Sequence, residues 1–272
     1  MHPDFQRRVQ RYGWDKAAQY YEESWREQLK PARDRLLGMA DLQTGEKVIE
    51  TACGTGLITF RAAGEVGAEG EVFATDLSDL MIETGRERVG EQKVENVSFQ
   101  RMDAEQLDLE DGRFDVGLCS LGLMYFPDPV KSLKEINRVL RPGGRVASSV
   151  WGERNNCGWN KIFPIVDKRV ASDVCPLFFQ QGTGSTLERS YREAGFDQFE
   201  SVRFSVSLNY PGPEEALVAA FYGGAVALAY NKFDQPTREA AHSEYLDSIE
   251  PYKKGSGYEI PGEFVIGLGW KV

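Results

Sequence analysis

The spacing of hydrophobic residues changes twice along the chain, and each change marks a new kind of architecture. Over residues 1 to 40 the large apolar residues recur at helical spacing. Trp14, Ala18, Tyr21 and Trp25 stand at i, i+4, i+7 and i+11, on one face of a helix. Between residues 45 and 151 the pattern becomes one of short strands and amphipathic helices in alternation. Val48-Ile49 with the residues just before them, 71–75, 97–101, 114–120 and 145–150 read as strands. A helix over 57–66 follows the first strand. Ser78 caps a second helix with Met81 and Ile82 inward, and Asp128 caps a third with Pro129 at its first position. Val130, Leu133, Ile136 and Val139 line the buried side of that third helix, which Pro142-Gly143-Gly144 stops. Such alternation predicts an α/β fold with a doubly wound, mostly parallel sheet.

Beyond Trp151 the alternation fails. Residues 152–183 read as a loop plus a helix, and 187–194 as a helix ending at Gly195. A strand over 199–208 places Val202, Phe204, Val206 and Leu208 on one face, and 264–270 reads as its hairpin partner. The intervening residues 211–261 are mostly helical and far exceed what a hairpin turn needs, so they predict an insertion with a function. Its apolar run, 216–230, is broken by Gly223-Gly224 and is too short to cross a bilayer; it reads as a buried helix pair. The whole chain, 1–272, is expected to be one domain with N-terminal helices.

Composition narrows the partners. A hydrophobic content of 41% is enough for a core, and a net charge of −10 argues against nucleic-acid backbones and anionic membrane surfaces. Cys53, Cys119, Cys157 and Cys175 lie far apart, with no C-x-x-C pair and two histidines in all, which predicts reduced thiols, no metal site and a cytoplasmic protein. The first residues, M-H-P-D-F-Q-R-R, contain no apolar core of a signal peptide. A small-molecule substrate, no nucleic acid, no stable membrane insertion, and a monomer or homodimer are the resulting expectations.

The candidate chemistry begins at Val48 to Gly56, V-I-E-T-A-C-G-T-G. A strand that runs through a Gly-rich turn into a helix lets the backbone approach a ligand and points free N–H groups at it. The acid at the strand end, Glu50, suits an amine or hydroxyl and repels a pyrophosphate, which favours S-adenosylmethionine over a dinucleotide. Two further acids, Asp76 and Asp103, fall at the ends of the next two strands, where open α/β sheets bind ligands. Asp76 suits the two hydroxyls of a ribose, and Asp103 an adenine amine. A nicotinamide oxidoreductase would call for a third glycine where this chain has Thr59. A non-catalytic cofactor-binding or regulatory protein would carry the same binding residues.

Taken with A-T-D-L-S-D-L-M at 74–81, M-D-A-E at 102–105, F-D-V-G-L-C at 114–119 and L-R-P-G-G-R at 140–145, this stretch resembles the class I S-adenosylmethionine-dependent methyltransferases, of the type 11 or UbiE-like branch. The resemblance spans about residues 45 to 150. It implies a Rossmann-like, seven-stranded sheet whose last strand lies antiparallel between the fifth and sixth. It also implies S-adenosyl-L-methionine as donor and S-adenosyl-L-homocysteine as product. By resemblance Glu50 holds the methionine amine beside the Ala52, Cys53, Gly54 and Gly56 turn. Asp76, Leu77 and Met81 hold the ribose and one adenine face, Asp103 and Ala104 read adenine, and Cys119 to Gly122 border the methyl group. Ala52 replaces the motif's first glycine, a replacement that is cheap provided the position need not adopt positive φ.

Acceptor residues are harder to read. Tyr21 and Trp25 on the N-terminal helix, Tyr125 just past the fourth strand, and Phe221 and Tyr222 in the insertion are the substrate-binding candidates. For proton transfer the candidates are Tyr125 and His242, set against simple packing for the first and a surface or capping role for the second. Residues 1–40 read as a lid over the cofactor core at 45–151. The insertion at 211–261 reads either as a lid over the substrate or as a dimer surface.

Overall fold

The computed structural model describes residues 3–170 and 178–272. Cys175, and part of the loop and helix expected over 152–183, lie outside the described residues. Two helices open the chain, α1 (Pro3–Trp25) and α2 (Lys30–Ala40). Pro31 sits in the first turn of α2, where no intrahelical N–H is needed, and Asp41 closes that helix in the left-handed conformation. The alternating region follows as β1 (Lys47–Thr51), α3 (Thr59–Val66), β2 (Glu71–Asp76), α4 (Asp79–Gln92), β3 (Val97–Arg101), β4 (Phe114–Ser120), α5 (Pro129–Val139) and β5 (Leu140–Trp151). The remainder holds α6 (Ile162–Asp167), α7 (Thr186–Glu193), β6 (Gln198–Tyr210), α8 (Pro213–Leu217), α9 (Ala227–Tyr230), α10 (Gln235–Ile249), β7 (Lys253–Lys254) and β8 (Gly257–Trp270).

The sheet runs β3-β2-β1-β4-β5-β8-β6, with the two-residue β7 pairing only β8. Strands β1 to β5 are mutually parallel, and β8 enters antiparallel between β5 and β6. Side chains alternate between its faces as the strand period requires. Val48, Val72, Val116 and Leu118 pack with α2 and α3 on one side, while Ile49, Phe73, Phe114 and Val146 pack with α5 and α7 on the other. A third apolar cluster lies away from both layers. It gathers Leu29, Leu121, Met124, Trp151, the 157–166 segment and the residues of α8 to α10.

Two boundaries differ from the sequence reading. Pro142-Gly143-Gly144 does not separate α5 from the fifth strand. It lies inside β5, where Gly143 has φ +77° and the register with β4 slips between Phe114 and Val116. β8 begins at Gly257 rather than at 264, and Tyr258 pairs with Tyr210 at its far end. Pro261 hid this extension. Before Phe264 the strand has left β5 behind, so one side of it is an edge that tolerates proline.

The Gly223-Gly224 pair also has a concrete cause. α8 runs into a π-helical turn at Val218–Tyr222 and then meets α1. A Cβ on Gly223 would sit 2.7 Å from Ser24 Oγ, and the Gly223 carbonyl accepts from Trp25 Nε1 at 2.9 Å. The close approach of the Ser24 side chain leaves room only for a glycine here.

Candidate active site

After Thr51 the chain turns through Ala52 at φ +53°, Gly54 at φ +56° and Gly56 at φ +94° before α3 begins. Gly56 has no room for a side chain, since an added Cβ would lie 2.7 Å from Phe60 and 2.9 Å from Phe99. Ala52 does adopt positive φ, contrary to the condition under which its replacement of glycine is cheap. The left-handed conformation costs an alanine roughly 1 kcal/mol. A second strained residue stands beside it: Leu121, at the end of β4, has φ +58°. A Cβ on the next residue, Gly122, would come within 2.6 Å of the Ala52 Cβ, so the turns after β1 and β4 are pressed together. Strain of this kind concentrates where surrounding structure overdetermines a site.

Three acids end three adjacent strands, each in a different state. Glu50 is buried and accepts from Thr59 Oγ1 at 2.5 Å. Burial raises its pKa to about 8, against the lowering effect of that hydrogen bond and with a further rise from Asp76. Asp76 accepts from the Gly54 N–H and the Ser78 N–H, each at 2.9 Å, so it ties the glycine turn to the start of α4. Burial raises its carboxyl as well, and the backbone N–H groups offset part of the rise. Asp103 accepts from the Glu105 N–H at 2.9 Å and pairs with Arg7 Nε at 2.8 Å.

Arg7 belongs to α1, whose two faces do different work. Along one face Arg7 meets Asp103 and Glu105, and Arg11 meets Asp79. Asp15 accepts from Ser78 Oγ at 2.6 Å, and Glu22 accepts from Thr55 Oγ1 at 2.9 Å and pairs with Arg88. On another face Tyr20 packs against Tyr222 with ring centroids 5.3 Å apart, and Trp25 holds Gly223. The helix therefore bridges the strand-end turns and the insertion. Tyr21 stands between, with Cε1 3.6 Å from where a Cβ on Gly54 would be. Burial pushes the Tyr21 hydroxyl up to about 12, and the neighbouring Arg33 guanidinium opposes that rise. Arg33 is itself buried. Its Nη2 donates to the Arg26 carbonyl, but Nε and Nη1 have no hydrogen-bond partner among the described residues. Burial lowers its pKa.

One cavity runs under α1. Its polar end is lined by Ala52, Gly54, Asp76, Leu77, Met81, Asp103 and Ala104, all cofactor candidates from the sequence. Ser120, Leu121 and Gly122 border its middle. The far end is apolar, walled by Trp151, Trp159, Phe163, Phe178, Tyr210, Val226 and Tyr245. Tyr21, Trp25 and Tyr125 line the cavity too, with Trp14 edge-on to Tyr125 at 5.1 Å.

Other candidates lie elsewhere. Glu50, Cys53, Gly56 and Cys119 sit below or beside the turns rather than in the cavity wall, and burial raises both thiols, Cys119 to about 11. Phe221 is fully buried against Tyr230, His242 and Tyr245, behind the wall that Ala219 and Ala220 form. Tyr222 receives the Tyr230 hydroxyl at 3.0 Å, and His242 Nε2 lies 2.8 Å from that same hydroxyl with its ring stacked on Tyr230. Neither Tyr222 nor His242 lines the cavity. Within the π-helical turn Val218–Tyr222, Ala219 and Ala220 face the cavity and Phe221 and Tyr222 do not line it. Sequence reasoning gave no role to Arg7, Arg33, Trp159 or Tyr210. Tyr210 is the one with a visible signal, because it ends the same alternating stripe as Val206 and Leu208.

A parallel sheet with one antiparallel strand, a glycine turn after β1 and acids at successive strand ends define a Rossmann-like nucleoside-binding enzyme. The residues fit a sulfonium nucleoside. Asp76 reaches the cavity with lone pairs to spare, Leu77, Met81 and Ala104 give flat apolar walls, and no cluster of basic residues awaits a pyrophosphate among the described residues.

Comparison with known proteins agrees. The family described as a methyltransferase domain matches residues 42–174. A demethylmenaquinone methyltransferase of Listeria welshimeri is 33% identical over 171 residues, covering 63% of this chain and 68% of that protein. One from Staphylococcus aureus is 31% identical over 214 residues, covering 74% and 82%. Among solved structures, Haemonchus contortus phosphoethanolamine N-methyltransferase 2 superposes with a TM-score of 0.62 at 19% identity, over 94% of this chain and 57% of that one. The YcgJ protein of Bacillus subtilis gives 0.60 at 17%, over 88% and 97%. These two likenesses concern the fold. The chain belongs to the class I S-adenosylmethionine-dependent methyltransferases, in the UbiE-like branch, and is an enzyme of that class. Among the described residues no helix is long and apolar enough to cross a membrane, and no group of side chains could hold a metal ion.

Proposed function

We propose that this enzyme methylates a small, largely apolar, ring-bearing acceptor of the quinol type by direct displacement. The observation that carries this reading is the cavity itself. Its polar end meets the strand-end acids, and its other end is closed by aromatic side chains with no carboxylate or imidazole among the described lining residues. The relatives named demethylmenaquinone methyltransferases, at 31–33% identity, support an acceptor of that kind.

S-adenosylmethionine, when bound, supplies an activated methyl group. The protein's task is then to align the acceptor behind that group and to keep water out, which is catalysis by proximity and orientation. Asp76 would receive the ribose hydroxyls while still holding the Gly54 and Ser78 N–H groups. Leu77, Met81 and Ala104 would flank the adenine. Asp103 would read the adenine amine with Arg7 holding its other side. Glu50, just behind the glycine turn, would supply the negative charge that the ammonium needs, and Arg33, beside Tyr21, the positive charge that a carboxylate needs. The Ser120 to Gly122 backbone would border the transferred methyl. On the acceptor side the titratable groups are tyrosines, and burial holds Tyr210 and Tyr245 protonated. The acceptor is then read as entering already deprotonated, its proton left in the solvent, so that displacement by the anion needs neither Tyr125 nor His242 as a base. Residues 1–40 would serve as the lid over 45–151, and 211–261 as the acceptor wall.

The test is transfer of labelled methyl from S-adenosylmethionine to 1,4-dihydroxynaphthalene, scored against an amine, a thiol and a phosphobase acceptor of similar size. Methylated naphthalene product with stoichiometric S-adenosylhomocysteine is the expected result. Turnover confined to the amine or the phosphobase would overturn the acceptor class.

A further inference from the structure

The aromatic end of the cavity contains hydrogen-bonding groups that the protein itself leaves unused. Tyr210 ends β6 and Tyr245 lies in α10, and they are 6% and 2% exposed. Both line the cavity, and burial raises the pKa of Tyr210, with a smaller contribution from Tyr245. Neither hydroxyl has a hydrogen-bond partner among the described residues, whereas Tyr191 and Tyr230, equally buried, both do. Trp159, 8% exposed and lining the same cavity, likewise has an indole N–H with no partner. Buried polar groups are nearly always satisfied, so an orphaned indole N–H beside two unpaired tyrosine hydroxyls in one otherwise apolar pocket needs an explanation. An N–H kept dry and unpaired, as that of Trp159 is, costs stability until a ligand supplies the acceptor atom.

We propose that Tyr210 and Tyr245, with Trp159 beside them, form a neutral hydrogen-bonding cradle for one oxygen of the methyl acceptor, and so set both its orientation and the requirement for a ring oxygen. All three groups can donate, and no cation lies among the described residues of this end of the cavity. The cradle therefore suits a phenolic hydroxyl, its oxyanion or a quinone carbonyl, and does not suit a phosphate or a carboxylate, which would call for Arg or Lys. Aromatic walls around it take the ring that carries the oxygen. The inference rests on the acceptor reading given above, and it adds the residues that enforce it. A site built to bond an oxygen rejects an analogue that lacks it, because the donors are then left unpaired.

The experiment measures binding of 1-naphthol and of naphthalene to the S-adenosylhomocysteine-loaded enzyme, by quenching of tryptophan fluorescence. The wild-type protein is expected to prefer 1-naphthol by about tenfold or more. Tyr210→Phe and Tyr245→Phe should each reduce that preference about threefold or more, and the double variant should abolish it. S-adenosylhomocysteine affinity should stay within about twofold in all of them, since the cradle lies outside the donor end. Melting temperatures without acceptor should hold or rise, because each substitution deletes an unpaired hydroxyl and keeps the ring; a marked fall would assign the hydroxyls a structural role and overturn the proposal. Equal binding of 1-naphthol and naphthalene by the wild type, or an undiminished preference in the double variant, would also overturn it. Preserved oxygen preference without methyl transfer to 1,4-dihydroxynaphthalene would leave the cradle standing and remove the acceptor reading instead.

Discussion

The two ends of the cavity are built by opposite means. At the donor end, polar groups come from consecutive strand ends, fixed by the sheet, and their backbone partners are already in place. Asp76 is held by two N–H groups, and Asp103 by one N–H and Arg7. At the acceptor end the wall is assembled from α1, the 157–166 segment, the end of β6 and the helices of the insertion, and among its donors the Trp159 indole N–H has no partner. The difference teaches how one sheet can serve a shared donor while helices and loops carried on it choose the acceptor. On the function proposed above, preorganised polarity marks the donor and unspent polarity the acceptor.

Asp76→Ala gives the largest expected effect at the donor end. Loss of charge-assisted hydrogen bonds should weaken S-adenosylmethionine binding by about 1.5–3 kcal/mol, measured by calorimetry, with 1-naphthol binding to the cofactor-free protein unchanged. Equal losses for both ligands would erase the division between the ends. Arg33→Met should weaken S-adenosylhomocysteine by about 1–2 kcal/mol, in the range for a hydrogen bond to a charged group. It should leave 5′-methylthioadenosine, which lacks the amino-acid carboxylate, unaffected. Equal effects on the two nucleosides would show that Arg33 is structural.

A third prediction uses pH. The folded-state pKa of Glu50, at about 8, stands above its ordinary value, so the folded apo-protein holds a proton that the unfolded chain releases. Stability from this group is present at low pH and is lost as pH rises from the ordinary carboxylate range through about 8. A melting temperature that falls by a few degrees over that window is expected for the apo-protein, and Glu50→Gln should flatten the fall. Donor binding should release a proton below about pH 8, because its ammonium favours the carboxylate. Proton release that is absent, and unaltered in Glu50→Gln, would detach this acid from the amine. The smallest effect belongs to Ala52→Gly, where relief of positive φ is offset by a freer unfolded chain. Stability should change by less than about 1 kcal/mol, and cofactor affinity hardly at all, by thermal unfolding and calorimetry.

Strand periodicity makes the strand-end turns and their acids legible in the sequence itself. β3 and β4 fall where the alternation puts them, and the turn at 52–56 and the acids at 50, 76 and 103 are local features that a linear pattern carries whole. Register and φ are less visible. Ala52 gives no sign of its left-handed backbone, and Pro261 conceals seven residues of β8, Gly257 to Glu263. The acceptor end resists reading because its residues are far apart in sequence and meet only through the tertiary fold. Phe221 and Tyr222 look like walls by composition, yet in the π-helical turn it is Ala219 and Ala220 that line the cavity. Trp159, Tyr210 and Arg33 carry no motif, and what distinguishes them is an unpaired atom, which no sequence displays.

The division of the cavity is tested most directly by an experimental structure of the enzyme with S-adenosylhomocysteine. The account predicts ribose hydroxyls on the Asp76 carboxylate, the sulfur beside the Ser120 to Gly122 backbone, and the space before Tyr210 and Tyr245 left clear of the nucleoside. A homocysteine sulfur lying among Trp159, Tyr210 and Tyr245, or a ribose turned away from Asp76, would contradict it.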